Sequence, residues 1–355
     1  MSKVKVLVVD DSELIRQLLS QIINSADDLE VVGVAVDPYD ARDKIKQLNP
    51  DVLTLDIEMP KMDGISFLRN LMKLRPMPVV MISTLTEKGA PATLEALDLG
   101  AVDYLPKPKV DQVQGLHQYS IDIIEKVRTA ATANVYTLER MQNARSRIPI
   151  EREKSAPYGF RPGYIIAIGA STGGTEAIKE VLLGMPVNCP PVLLSQHIPP
   201  VFSATYADRM NRICDISVFE AKDDMKLENG CAYLAPGDHH LKIVYKGGAY
   251  YTKLDKSEPV NRHRPAVDVM FESVLDAAGS KVVGVLLTGM GKDGANGLLK
   301  MRDAGCHTIA QDKESSVVWG MPGAAVAIGA AVDVLPLEKI FSKALSCCSN
   351  RQNLS

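Results

Sequence analysis

Short, continuous apolar runs punctuate the first 125 residues: "KVKVLVVD" (3–10), "EVVGVA" (30–35), "DVLTLD" (51–56), "PVVMIS" (78–83) and "AVDYLPK" (101–107). Runs that do not alternate with polar residues predict strands buried on both faces. The segments between them are amphipathic; in "DGISFLRNLMKL", Ile65, Leu68, Leu71 and Met72 share one helical face. Five strand–helix units predict a parallel, doubly wound sheet over residues 1–125. The pattern then loosens into "VRTAATANVYTLERMQNARSRIPIEREKSAPYGFRPG", polar, mixed in charge and ending in Pro and Gly; its first part can prolong a helix and the rest reads as a linker, placed over 126–160. From 161 to 350 a second α/β pattern follows, with "YIIAIG", "PVLLSQ" and "VVGVLLTG" as buried strands. Its middle, "NGCAYLAPGDHHLKIVYKGGAYYTKL", carries closely spaced turn signals and predicts an antiparallel addition. The fold class is α/β, in two doubly wound domains.

The 355 residues suffice for two such domains, and 46% of them are hydrophobic. A formal net charge of −3 argues against nucleic acid as the main partner, as does the balance of Arg145 and Arg147 by Glu139, Glu151 and Glu153. No apolar run approaches the roughly 20 residues that cross a bilayer, so membrane insertion is not expected. The start, "MSKVKVLVVDDSEL", lacks the apolar stretch of a secretory signal. The six cysteines form no C-x-x-C pair and read as reduced thiols, which points to the cytoplasm.

Asp10 and Asp11 end the first predicted strand and Asp56 the third, so all three meet at the carboxyl edge of the sheet. Like charges about 4 Å apart repel by roughly 4 kcal/mol per pair at an effective dielectric near 20. A hard divalent cation such as Mg²⁺ relieves that repulsion, after which one carboxylate can attack a phosphoryl group in line. Ser83 ends the fourth strand and Lys107 the fifth, supplying a hydroxyl and a positive charge at the same edge. Singly these are ordinary: acidic strand ends are common, a lysine is usually solvated, and Tyr104 reads as a core aromatic. Together, and with "MPKMDG" (59–64), residues 1–125 resemble the response-regulator receiver domain. The resemblance implies a flavodoxin-like fold and phosphorylation of Asp56 by a histidine kinase. It also implies Mg²⁺ held by Asp10 or Asp11, Asp56 and the backbone carbonyl of Glu58. Ser83 and Tyr104 would form the switch pair, and Lys107 would bind the phosphate.

The second domain opens on "GASTGGTEAI" (169–178), a glycine-rich turn between a strand and a helix. A dinucleotide fingerprint fails there, because Ala170 and Ser171 stand where close backbone approach is needed and the next strand ends in Gln196 and His197 rather than an acid. The same turn frames Ser171 between Gly169 and Gly173, the way a nucleophile is presented. A serine needs a base and the base an orienting acid. His197 follows "PVLLSQ", and Asp293 lies in "TGMGKDG" beyond "VVGVLL", at strand ends of one parallel sheet. Other readings stay open: His239, His240 and His263 compete for the base, and Asp293 has the alternative of merely stabilising a glycine-rich turn. The order Ser, His, Asp along the chain also differs from that of α/β-hydrolases.

"GASTGG", "QHIP", "APGDHH", "PVNRHRPAVDVMF" and "TGMGKDG" resemble the catalytic domain of the chemotaxis protein-glutamate methylesterases, a family that carries a receiver in front. The resemblance implies a Rossmann-like domain with Ser171 as nucleophile, His197 as base and Asp293 orienting it. Thr172 and the backbone around Met290 would be oxyanion and positioning elements. It implies hydrolysis of glutamate γ-methyl esters and deamidation of glutamines on the cytoplasmic helices of chemoreceptors, with no cofactor for ester hydrolysis. The unphosphorylated receiver would cover the catalytic crevice. Arg262 and Arg264 either steer an acidic receptor helix or are solvated surface cations.

Overall fold

The computed structural model describes residues 3–84, 89–107, 113–135 and 159–350. The chain forms two compact units, Met1–Ile148 and Pro149–Ser355. The helix that begins at Val113 runs on to Ala131, into the first part of the 126–160 stretch, and residues 136–158 of that stretch lie outside the described residues.

The first unit alternates β1 (Val4–Val9), α1 (Glu13–Asn24), β2 (Leu29–Ala35), α2 (Pro38–Leu48), β3 (Val52–Asp56), α3 (Gly64–Leu74), β4 (Val79–Ser83), α4 (Ala90–Asp98), β5 (Asp103–Pro106) and α5 (Val113–Ala131). Its sheet is parallel throughout, in the order β2-β1-β3-β4-β5. Strands β3 and β4 are buried along their whole length, which is why they read as unbroken apolar runs. Carboxylates start the helices: Asp37 accepts from the amides of Tyr39 and Asp40 to cap α2, and Asp63 accepts from Ser66 to cap α3.

The second unit comprises β6 (Ile165–Ala170), α6 (Gly174–Leu183), β7 (Val192–Gln196), α7 (Pro200–Ile213), β8 (Ser217–Glu220), β9 (Cys231–Leu234), β10 (His240–Lys246) and β11 (Ala249–Asp255). It continues through α8 (Val267–Ala278), β12 (Val282–Leu286), α9 (Ala295–Asp303), β13 (His307–Gln311), α10 (Met321–Ala327), β14 (Asp333–Leu335) and α11 (Leu337–Cys348). Seven strands pair in the order β14-β13-β12-β6-β7-β9-β8, every pairing parallel. The expected antiparallel addition is the pair β10 and β11, a separate two-stranded ribbon, while β9, from the same stretch of sequence, joins the parallel sheet instead. Ala232, Tyr233 and Leu234 are all buried, so β9 has no polar face and suits an interior position between β7 and β8. Helix α8 places Met270, Phe271 and Val274, all fully buried, in one core with Leu241 and Ile243 of the ribbon.

Candidate functional site

Strand β6 lies between β12 and β7, and the connections leave it in opposite directions. That makes its carboxyl end the switch point of the sheet, where the crevice of a doubly wound domain opens. Ser171 is the first residue past β6, His197 the first past β7, and Asp293 stands in the loop after β12. The tertiary fold brings all three together. His197 Nδ1 is 3.1 Å from Ser171 Oγ, and His197 Nε2 is 2.8 Å from Asp293 Oδ2. A proton on Nε2, donated to Asp293, leaves the Nδ1 lone pair facing the serine hydroxyl.

Backbone contacts hold the serine in place. The Ser171 amide donates to Thr288 O (3.1 Å), and its carbonyl accepts from the Gly174 amide (2.7 Å) and from Gln196 Nε2 (2.9 Å). Gly289 is needed because a Cβ there would sit 2.8 Å from Ser171 Cβ. Thr172 is the next residue, buried at the entry to α6, and its carbonyl accepts from Thr288 Oγ1. Met290 follows Gly289, the residue packed against Ser171.

Asp293 is 2% exposed. Burial pushes its carboxyl up, but hydrogen bonds from His197, the Val267 amide and Asn261 outweigh that and hold it down at about 2. Oδ2 accepts from His197 Nε2 and the Val267 amide (2.6 Å); Oδ1 accepts from Asn261 Nδ2 (2.8 Å) and the amides of Gly294 (3.1 Å) and Asp268 (3.2 Å). Two of these amides open α8, so the positive end of that helix faces the carboxylate. Asp268 lies beside it, its carboxyl raised by burial and by the Asp293 charge against a hydrogen bond from Gly297, and Asn261 Nδ2 also donates to it at 2.9 Å.

The competing histidines occupy other positions. His240 is fully buried, with Nδ1 accepting from the Ala266 amide and Nε2 donating to Glu258 O, so it braces the 258–266 loop. His239 Nδ1 lies 3.3 Å from Gly237 O. His263 stacks on His197, ring centroids 3.6 Å apart and planes at 15°. Arg264, read either as steering an acidic helix or as a solvated surface cation, is engaged by the neighbouring backbone and by Asp238. Its guanidinium donates to Asp238 and to the carbonyls of Lys256 and Ser257, which anchors the loop. Arg262 is exposed, at a φ of +69°. Asn261, which spacing did not single out, is the missed member of the site. Its only sequence signal is the tolerance of asparagine for the left-handed region, where it sits at φ +52°.

In the receiver, Asp10 and Asp56 are buried and Asp11 is exposed, and one carboxylate oxygen of each lies within 4.8 Å of the others. Lys107 Nζ is 2.7 Å from Asp56 Oδ2 and 3.6 Å from Asp10 Oδ2. Burial raises the Asp56 carboxyl to about 6, with the Asp10 charge adding to it and Lys107 opposing it. Burial likewise raises Asp10, whose Oδ2 is buried without a hydrogen-bond partner. A buried carboxylate oxygen that makes no hydrogen bond, set among hard oxygen donors, fits a small divalent cation. The Glu58 amide, two residues on, donates to Asp56 Oδ1 at 3.3 Å. Ser83 Oγ hydrogen-bonds Thr93 Oγ1 of α4 at 2.9 Å, and the Tyr104 ring is buried. Gly64, the last residue of "MPKMDG", has no room for a side chain: a Cβ would lie 2.0 Å from the Asp56 carbonyl oxygen.

Residues 166–344 match the CheB methylesterase family, and residues 6–118 match the response regulator receiver domain family. The chain is 55% identical over 342 residues to a protein of Saccharophagus degradans named protein-glutamate methylesterase/protein-glutamine glutaminase 2, covering 96% of this chain and 97% of that one. It is 53% identical over 343 residues to protein-glutamate methylesterase/protein-glutamine glutaminase 1 of Hahella chejuensis, covering 95% and 94%. The crystal structure of the Thermotoga maritima CheB methylesterase catalytic domain is similar at 40% identity and a TM-score of 0.51, covering 52% of this chain and 99% of that one. Among the described residues no helix is long and apolar enough to cross a membrane. Two parallel-sheet domains, matched along nearly the full length of such relatives, place this chain in the CheB methylesterase family, with a response-regulator receiver domain in front.

Proposed function

We propose that the chain hydrolyses glutamate γ-methyl esters, and deamidates glutamines, on the cytoplasmic helices of chemoreceptors. Phosphorylation of Asp56 by a histidine kinase would raise that activity. The observation that carries this reading is the hydrogen-bonded series Ser171 Oγ, His197 Nδ1, His197 Nε2, Asp293 Oδ2. Ser171 Oγ attacks the γ-carbonyl carbon while its proton passes to His197 Nδ1. The imidazolium so formed is stabilised by the Asp293 carboxylate, which stays ionised throughout. Backbone groups at Thr172 and Met290, with the positive end of α6, face the oxyanion. His197 returns the proton to the departing methoxide, or to the amide nitrogen, which leaves as ammonia, when glutamine is the substrate. Water then attacks the glutamyl ester with Nδ1 again as base, freeing Ser171 and a glutamate carboxylate.

Asp10, Asp11, Asp56 and the carbonyl of Glu58 would hold a Mg²⁺ ion, which neutralises charge on transferring phosphoryl oxygens. Lys107 is assigned to the phosphoryl group from its place beside Asp56. On phosphorylation the Ser83 hydroxyl turns from Thr93 to a phosphoryl oxygen, and Tyr104 repacks with it. The cytoplasm is where kinase and receptor helices would both be met.

Methanol release from methylated receptor, with and without a small-molecule phosphodonor and Mg²⁺, tests the whole reading. Release should rise with phosphodonor in the wild type, stay at the basal rate in Asp56→Asn, and vanish in Ser171→Ala. Unaltered release from Ser171→Ala would remove the serine mechanism, and an equal response of Asp56→Asn would remove the phosphorylation control.

A further inference from the structure

The turn Val260–His263 reaches the catalytic groups twice. Val260 and His263 exchange backbone hydrogen bonds of 3.1 and 2.9 Å, and the two residues between them, Asn261 and Arg262, both have positive φ, +52° and +69°. That is the geometry of a type I′ turn, for which glycine or asparagine is usual and arginine is strained. Backbone strain that persists is held by its surroundings and marks a constrained position. The surroundings are visible. His240 ties Glu258 O to the Ala266 amide, and Arg264 ties the loop to Asp238 and to the carbonyls of Lys256 and Ser257. From this fixed turn Asn261 donates to Asp293 Oδ1 and Asp268 Oδ2, and the His263 ring lies flat on the His197 ring at 3.6 Å.

We propose that His263 is a positioning residue for the catalytic base: its ring forms the wall against which the His197 imidazole is held in the plane joining Ser171 Oγ to Asp293 Oδ2. An imidazole held by its two hydrogen bonds can still swing about χ1 and χ2 out of the line between serine and acid, and such a swing lengthens the Nδ1 contact with the serine. A flat ring stacked on one face removes that freedom. The turn thereby sets two members of the site at once, the acid through Asn261 and the base through His263. Small misplacements of a reacting group cost rate rather than affinity.

The inference rests on the Ser171–His197–Asp293 reading above, and the test separates the two. Steady-state methanol release is measured for wild type, Ser171→Ala, His263→Ala and His263→Phe in the full-length phosphodonor-treated protein, with thermal unfolding followed in parallel. His263→Ala should lower kcat about 10- to 100-fold with little change in KM. His263→Phe, which restores a flat ring without its nitrogens, should recover most of that loss. The low-field proton resonance of the His197 Nε2–H···Asp293 bond should broaden in the alanine variant and return in the phenylalanine variant. Wild-type kcat in His263→Ala overturns the proposal, as does a phenylalanine variant no better than alanine, or a loss confined to KM. If Ser171→Ala is also fully active, the failure belongs to the underlying mechanism; if only Ser171→Ala is dead, it belongs to His263 alone.

Discussion

Replacing Asp293 by asparagine changes one atom and should nearly abolish turnover. Both carboxylate oxygens act only as acceptors: Oδ2 receives His197 Nε2–H and the Val267 amide, and Oδ1 receives Asn261 and the amides of Asp268 and Gly294. An asparagine amide must point its NH₂ group at one of these sets. Directed at the Oδ2 set, it forces His197 to accept at Nε2, which moves the ring proton to Nδ1 and points it at Ser171. The base is then lost, and the equivalent change in a serine protease lowers kcat about 10⁴-fold, roughly 5 kcal/mol of barrier. Directed at the Oδ1 set, it opposes three donors, each costing about 1–3 kcal/mol when left unsatisfied. The first orientation therefore opposes fewer donors, and the variant should fold with the wrong histidine tautomer. The assay is single-turnover methanol release from methylated receptor with the receiver phosphorylated. Expected is a fall of about 10⁴ in rate with KM within a few-fold of wild type. Activity within tenfold of wild type would refute the reasoning, because it would mean that Asp293 does not set the proton position on His197.

Two further outcomes follow from the same geometry. The Asp293 carboxyl, held at about 2 against an ordinary 3.8, contributes stability that is full above about pH 4 and lost as pH falls through about 2. The stability gap between wild type and Asp293→Asn should narrow by about 2 kcal/mol across that window, read by denaturant unfolding with the single tryptophan, Trp319, reporting on the catalytic unit; a gap independent of pH would count against it. Gly64→Ala forces a methyl into the Asp56 carbonyl oxygen, so the loop must move, at a cost of about 1–3 kcal/mol and with a slower response to phosphodonor. A variant that melts and responds like wild type would show that the loop yields without consequence.

Much of this architecture is written in local pattern. The inner receiver strands β1, β3 and β4 appear as apolar runs because most of their residues are covered on both faces, whereas β2 at the sheet edge, expected to be buried likewise, is part-exposed along its middle. Their carboxyl ends carry Asp10, Asp56, Ser83 and Lys107, and those of β6 and β7 carry Ser171 and His197, since strand ends in a doubly wound sheet all open on one edge. Strand order is not local, and from it follow the contacts that matter most. Ser171 and His197 are 26 residues apart and His197 and Asp293 are 96 apart. They meet because β12, β6 and β7 are neighbours. The same packing separated four similar histidines into one facing serine and acid, one stacked on it, His239 in the turn before β10 and His240 at the start of that strand. It also placed β9 in the parallel sheet, gave Arg264 to Asp238, and brought Asn261 to Asp293 through a turn at positive φ. Residue type and periodicity carry the information for burial, which is a property of a segment. Partner choice depends on where distant segments land, and only the folded chain determines that.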